Sequence, residues 1–103
     1  MKEAELQAAV IDMAHLFGWI VAHFRPALTQ SGRWVTPVQA DGKGFPDLVL
    51  VRDEILYVEL KSERGRLSLE QRMWIEAIRA AGGEAHLWRP TDWLNGTVEA
   101  ALR

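Results

Sequence analysis

The stretch GFPDLVLVRDEILYVELKS, residues 44–62, decides the fold because it contains two strand-like segments joined by a short polar turn. Branched and aromatic residues dominate residues 47–51 and 55–61, a composition typical of β-strands. Three charged residues nevertheless lie within or beside these segments: Asp47, Glu59 and Lys61. They are either solvated residues at strand ends or members of one site.

The alternation of side chains along the second strand groups two of these charges. Successive side chains of a strand point to opposite faces. Glu59 and Lys61 therefore share one face, whereas Leu56, Val58 and Leu60 occupy the other. A carboxylate and an ammonium group two positions apart can both reach a single reacting centre.

The turn RDE, residues 52–54, decides whether Asp47 joins them. A two-residue connection would pair residue 47 with residue 60 and place Asp47 on the wrong face, whereas a three-residue connection pairs it with Glu59. RDE lacks the Asn-Gly or Asp-Gly of the favoured two-residue hairpin. We therefore predict the three-residue connection, or a bulge with the same effect.

Two adjacent carboxylates repel each other unless a cation or a proton lies between them. A divalent metal would relieve this repulsion at Asp47 and Glu59, with the Leu60 backbone carbonyl as a further oxygen ligand. Lys61 could then position the attacking water or stabilise developing negative charge. The alternative is that Asp47 is an ordinary turn residue after Pro46, and that the other two charges lie on a solvated face at a sheet edge.

The remaining sequence predicts an α/β fold with helices covering a small mixed sheet, in the order helix, strand, strand, strand, helix, strand, with a further helix at the C-terminal end. A single domain spanning residues 1–103 is expected from the chain length. The predicted elements are a helix at 3–17, a strand at 19–24, a long loop at 26–46 with a short extended piece at 33–38, the two strands above, a helix capped by Ser68 and ending near 81, a strand at 84–88, and a helix begun by Thr91 or Asp92.

The composition limits the chemistry that the chain can perform. Cysteine is absent, which excludes disulfides and thiolate metal sites and is consistent with the cytoplasm. A metal would bind oxygen ligands or His15, His23 and His86, and oxygen ligands favour Mg²⁺ or Mn²⁺. No apolar run approaches about 18 residues, and the N-terminal residues lack the apolar segment of a signal peptide, so neither a membrane span nor export is expected.

The net charge of −2 taken alone argues against a nucleic-acid-binding protein. The distribution of charge points the other way, because residues 19–46 and 61–79 are each net positive.

Three segments, GFPDLVLV, VELKSERGRLSLEQRMW and GGEAHLWRP, together resemble the VRR-NUC family of the PD-(D/E)XK nuclease superfamily. The likeness covers roughly residues 3–90, and such domains occur alone in phages and fused to larger repair proteins. The resemblance implies a PD-(D/E)XK core and a metal-dependent phosphodiesterase. By that likeness, Asp47 and Glu59 match the metal-binding acids, Lys61 matches the catalytic lysine, and Gln71 matches a glutamine in the helix behind the site.

A glutamate on the first helix commonly completes such sites, and Glu3 and Glu5 compete for this role. Glu3 continues the helical stripe of Leu6 and Val10, whereas Glu5 lies roughly opposite it, which favours Glu3. The alternative is that both acids only favour the helix N-terminus.

Several further residues are candidates for contact with DNA or for support of the site. Ser62 and Gln71 could orient Lys61 or a water, and Trp34 could touch a base or a second subunit. The candidates for nucleic-acid contact are His23, Lys43, Ser62, Arg64 and Arg66, and a solvated or hydrogen-bonded surface role is the alternative for each.

These observations favour a DNA endonuclease that uses Mg²⁺ or Mn²⁺. A symmetric homodimer would carry two sites, one for each strand, which suits branched or Holliday-junction DNA. The competing hypothesis is a non-catalytic nucleic-acid-binding or assembly module on the same fold.

Overall fold

The computed structural model describes residues 1–24, 27–28, 30–35 and 38–103. The elements in chain order are α1 (Glu3–Leu16), β1 (Ile20–His23), β2 (Ala27–Leu28), β3 (Trp34–Val35), β4 (Leu48–Val51), β5 (Ile55–Leu60), α2 (Leu69–Ala80), β6 (Glu84–Trp88), α3 (Pro90–Leu94) and α4 (Thr97–Leu102). None of these helices is long and apolar enough to cross a membrane.

The main sheet has four strands in the order β1-β4-β5-β6. β4 pairs antiparallel with both β1 and β5, whereas β5 and β6 run parallel. The parallel pair is possible because α2 makes the crossover between β5 and β6. The predicted α/β fold with a mixed sheet and an antiparallel hairpin is therefore confirmed.

The hydrophobic core lies between one face of the sheet and the helices α1 and α4. Leu48, Leu50, Leu56 and Val58 line that face and are fully buried. Helical spacing places the apolar positions of α1 on the side that faces them. The core residues contributed by the helices and flanking positions are Leu6, Val10, Ala14, Trp19, Trp88, Val98 and Leu102.

The opposite face of the sheet carries α2 and a cluster of aromatic rings. Phe45 contacts Phe24, Tyr57 and Trp74 edge-on, with ring centroids 5.4, 6.1 and 5.0 Å away. Such geometry adds to the apolar burial. These rings hold the residues just before Asp47 against both β5 and α2.

The predicted start of α2 is confirmed, and the predicted start of α3 is wrong. Ser68 caps α2 by accepting a hydrogen bond from the Gln71 N–H. In α3 the N-cap is Arg89, and neither Thr91 nor Asp92 takes that place. Pro90 occupies the first helical position, where its missing N–H costs nothing, and the Asp92 carboxylate instead accepts from the Arg89 N–H at 2.8 Å.

The long loop contains a small antiparallel pair, β2 with β3. The extended piece expected at residues 33–38 is confirmed at Trp34–Val35, while Thr36 and Pro37 lie outside the described residues. The side chain of Trp34, a candidate for base or subunit contact, also lies outside the described part of the chain.

Candidate active site

Asp47 and Glu59 lie side by side because the β4–β5 connection has three residues. Val51 pairs with Ile55 and Val49 with Tyr57, and one further step of this register sets Asp47 opposite Glu59. The predicted register is confirmed. Arg52 closes the turn by donating its N–H to the Glu54 carbonyl at 3.0 Å.

The backbone of Leu60 directs its polar groups toward Asp47. The Leu60 N–H donates to Asp47 Oδ2 at 2.9 Å, whereas the Lys61 N–H points to the other edge and donates to the Trp88 carbonyl. Because the N–H and C=O of one strand residue share an edge, the Leu60 carbonyl lies on the Asp47 side. The β4–β5 register sets Leu60 opposite Pro46, which has no N–H to donate. The hydrogen bonds between these strands therefore leave the Leu60 carbonyl oxygen available to another partner.

Glu59 is a buried acid with a second acid beside it. The residue is 2% exposed, and within the described ranges it is the one buried charged residue; it lies on the sheet face opposite to the hydrophobic core. Burial, together with the hydrogen-bonded and negatively charged Asp47 carboxyl group, raises the pKa of Glu59 to about 9. Without a cation, Glu59 therefore holds a proton at neutral pH.

Gln71 connects the first turn of α2 to Glu59. Its Oε1 accepts from the Ser68 N–H at 2.8 Å, and this bond leaves Nε2 to donate to Glu59 Oε2 at 3.3 Å. The capping box thus sets the orientation of the amide as well as the start of the helix. The family resemblance placed Gln71 in the helix behind the site, and the structure shows its contact with Glu59.

Glu3 and Glu5 have different surroundings. The Glu3 carboxylate is among the charges that raise the pKa of Glu59, after burial and Asp47. Glu5 instead accepts a hydrogen bond from the Lys2 N–H at 3.0 Å. Glu3 is therefore near enough to Glu59 to act on its pKa, whereas Glu5 satisfies the N-terminus of α1.

Lys61 directly follows β5, the strand that carries Glu59, and is half-buried. Its positive charge lowers the pKa of Glu59 and so opposes the effect of burial; the two groups interact electrostatically. Its ammonium group makes no hydrogen bond or ion pair with the described part of the chain. It is therefore free to bind an anionic group.

The chemistry of these donors fits a hard divalent cation. Within the described residues, no three His, Asp or Glu side chains form a metal-binding group on their own. The available set is two carboxylates, Asp47 and Glu59, with the Leu60 carbonyl. Mg²⁺ characteristically takes one or two carboxylates and keeps several waters, so this set suits it.

The remaining candidates lie around the site rather than in it. His23 pairs with Leu48, which places its side chain on the core face, opposite to Asp47. Lys43 forms an exposed ion pair with Glu70, with 3.1 Å between Nζ and Oε1. The pKa of Glu70 is lowered mainly by a hydrogen bond to its own backbone and next by this contact with Lys43.

Arg64 and Arg66 are exposed in the turn after Lys61 and have no ion-pair partner among the described residues. Ser62 is half-buried in the same turn, and its carbonyl accepts from the Arg89 guanidinium at 2.7 Å.

Sequence reasoning missed Gly44, which holds α2 close to the site. Its φ is +85°, and a Cβ there would lie 2.6 Å from the Glu70 carbonyl carbon and 2.7 Å from the Gln71 nitrogen. Only glycine combines that conformation with so close an approach. The sequence does show a glycine directly before Phe45-Pro46-Asp47. That glycine alone does not reveal that α2 packs against it.

Comparisons with known proteins concern the family and the fold. The family model of the VRR-NUC domain matches residues 4–91. A solved structure described as a VRR_NUC domain superposes with a TM-score of 0.68 over 96% of both chains, at 22% sequence identity. A search among curated proteins gave no match.

Proposed function

The chain belongs to the VRR-NUC family of nuclease-type domains, and from this membership we propose that it is a metal-dependent DNA endonuclease. The observation that carries the proposal is the pairing of Asp47 with the buried Glu59, whose repulsion a divalent cation would relieve. Mg²⁺ or Mn²⁺ is the proposed cofactor.

The proposed roles follow from the contacts. Asp47, Glu59 and the Leu60 carbonyl hold the cation, and Glu3 supports it from α1. When bound, the cation activates water and polarises the phosphoryl oxygen. Gln71 holds the Glu59 carboxylate in place through its 3.3 Å bond.

Lys61 stabilises the negative charge that develops on the phosphate. Its freedom from other partners in the described ranges supports this role, because no protein anion competes for the ammonium group.

The DNA backbone approaches over the turn that follows β5. Arg64 and Arg66 are exposed there, and Arg72 is exposed on the next helix. Three acids lie in the same segment, residues 61–79: Glu63 binds Thr91, Glu70 pairs with Lys43, and Glu76 is exposed. The lysine and four arginines of this segment outnumber them, so its net charge is positive, although the whole chain is slightly acidic.

A homodimer acting on branched DNA is part of the proposal. Ile20, Val51 and Ile55 stand in register across β1, β4 and β5 with exposures of 74%, 38% and 48%. Such an apolar row beside an edge strand is typical of a surface that a second copy covers. The measurement is the solution mass by light scattering.

The test of the enzyme is metal-dependent cleavage. Purified protein with Mn²⁺ or Mg²⁺ is incubated with supercoiled, nicked, flapped and four-way DNA. The proposal is supported if cleavage requires the metal and is lost in Lys61→Ala, while Lys61→Ala keeps the unfolding temperature of the wild type. Equal cutting by wild type and Lys61→Ala identifies a contaminant. DNA binding without cutting under any metal supports the non-catalytic module instead.

A further inference from the structure

The turn after Lys61 is clamped to the start of α3. Arg89 Nη1 lies 2.7 Å from the Ser62 carbonyl, 2.7 Å from the Gly65 carbonyl and 3.2 Å from the Glu63 carbonyl. A single nitrogen of the guanidinium thus binds the carbonyls of residues 62, 63 and 65, in the turn that leaves the sheet immediately after the lysine.

A second contact runs in the opposite direction between the same two segments. The Glu63 carboxylate accepts from the Thr91 N–H at 3.0 Å and from the Thr91 hydroxyl. These bonds hold the pKa of Glu63 below its usual range, chiefly through the Thr91 hydroxyl. The turn is therefore bound to the β6–α3 junction at both its backbone and its side chain.

The clamped turn packs against the stem of Lys61. A Cβ built on Gly65 would lie 3.4 Å from Lys61 Cδ and 2.9 Å from Ser62 Oγ. On the other side, the Lys61 N–H is bound to the Trp88 carbonyl, one residue before Arg89. Lys61 is thus bound through its backbone to β6, and its side chain lies beside the turn that Arg89 binds.

We infer that Arg89 is a positioning residue for Lys61: its guanidinium fixes the Ser62–Gly65 turn, and the turn restricts the direction of the lysine side chain. This inference rests on the proposed function. The guanidinium is needed because its planar group reaches several carbonyls from one fixed position. Misplacement of a catalytic group by about 1 Å can cost as much as 100-fold in rate.

The experiment compares Arg89→Gln with Arg79→Gln. Arg79 is a matched control because its guanidinium also binds a backbone carbonyl, that of Ala85 in β6 at 2.7 and 3.0 Å, which lies at the end of the strand away from the site. Cleavage is measured under single-turnover conditions, and DNA affinity is measured without divalent metal.

We expect Arg89→Gln to lower the cleavage rate about 10- to 100-fold with little change in DNA affinity, and Arg79→Gln to leave the rate unchanged. Arg89→Lys, which keeps a cation with three donors, should recover part of the rate.

Equal rates for Arg89→Gln and Arg79→Gln would overturn the inference. If Arg89→Gln does not fold, Gly65→Ala replaces it, since the added Cβ would lie 2.9 Å from Ser62 Oγ and must shift the turn beside Lys61 while the guanidinium is kept. An unchanged rate in Gly65→Ala contradicts the inference.

A structural measurement separates failure of the inference from failure of the proposed function. NMR relaxation of the Lys61 ε-methylene group reports its order whether or not the protein cuts DNA. The ε-methylene should be ordered in the wild type and in Arg79→Gln and mobile in Arg89→Gln. If the wild type cuts no DNA but this difference in mobility is seen, the role of Arg89 in positioning Lys61 stands and the nuclease proposal fails. If the Lys61 ε-methylene is already mobile in the wild type, the inference about Arg89 fails.

Discussion

The Asp47 carboxylate accepts a hydrogen bond from the Leu60 N–H at 2.9 Å, across the two strands of the hairpin. The acid therefore has a structural role in addition to its proposed metal role. Asp47→Asn keeps an oxygen acceptor and removes the charge, whereas Asp47→Ala removes both.

We expect Asp47→Asn to unfold close to the wild-type temperature and to lose its stabilisation by Mg²⁺. Asp47→Ala should be less stable by about 1 kcal/mol, the usual contribution of one hydrogen bond. Thermal unfolding with and without Mg²⁺ measures both effects. Undiminished Mg²⁺ stabilisation in Asp47→Asn would exclude this acid as a ligand.

The raised pKa of Glu59 makes the metal-free protein depend on pH. In the unfolded chain the carboxyl group ionises near 4.5, and in the folded chain near 9. Its contribution to stability is complete below pH 4.5 and declines as the pH rises toward 9, because the folded state resists losing the proton. Glu59→Gln should therefore be more stable than the metal-free wild type at pH 7, by an amount on the order of 2 kcal/mol.

Chemical denaturation of the metal-free proteins between pH 4.5 and 9 tests this, with the exposed Glu76→Gln as the control. The advantage of Glu59→Gln should grow with pH, and Mg²⁺ should reverse it by stabilising the ionised wild type. A difference that is the same at pH 5 and pH 8 would contradict the assignment.

Gly44→Ala should lower activity although it removes no polar group. The new Cβ would meet Glu70 and Gln71 below 3 Å and push the first turn of α2 away from Glu59. Gly18→Ala is the matched control, because Gly18 has nearly the same φ, +86°, and nothing within 4 Å of the added Cβ.

Both glycine variants should lose roughly 1–2 kcal/mol of stability from the left-handed backbone, and only Gly44→Ala should also lose cleavage. Denaturation curves and cleavage rates below the unfolding transition separate the two effects. Equal cleavage by the two variants would show that α2 tolerates the displacement.

Arg52 should be important for stability and not for catalysis. Its guanidinium donates to the carbonyls of Phe17, Leu102 and Arg103 and lies 4.5 Å from the centroid of the Trp19 ring. It thereby joins the β4–β5 turn to the ends of α1 and α4.

Arg52→Lys should already lose roughly 1–3 kcal/mol, because a lysine cannot serve these carbonyls and stack on the ring together. Denaturation measures the loss, and Arg64→Lys, at an exposed arginine, is the control. The cleavage rate of the folded Arg52→Lys fraction should equal that of the wild type, and a selective loss of cleavage would assign Arg52 another role.

DNA affinity should respond differently to the exposed cations. Arg64→Ala and Arg66→Ala should each reduce the salt dependence of binding by about one phosphate contact. Lys43→Ala should change it less, since its ammonium group is already paired with Glu70. Binding measured across a salt series tests this, and an effect of Lys43→Ala equal to that of Arg64→Ala would place Lys43 in direct contact with DNA.

The sequence determined which charged residues share a face. Strand alternation and the length of the RDE turn are local properties, so the pairing of Asp47 with Glu59 could be predicted and is confirmed. Ser68 as a cap was predictable for the same reason, since capping depends on residues three positions apart. The cap of α3 was predicted wrongly because Thr91 and Asp92 are both good capping residues, whereas Pro90 already occupies the first helical position.

Only the tertiary structure decided what surrounds the pair. Glu59 is buried by elements that are distant in the sequence. Its contact with Gln71, the approach of Gln71 to Gly44 and the contact of Arg89 with Ser62 each connect residues 12 to 27 positions apart. Such contacts depend on where whole helices pack against the sheet, and no periodicity along the chain records that placement. The residue types of the site can therefore be read from the sequence, while the raised pKa of its acid and the support of its lysine arise from packing.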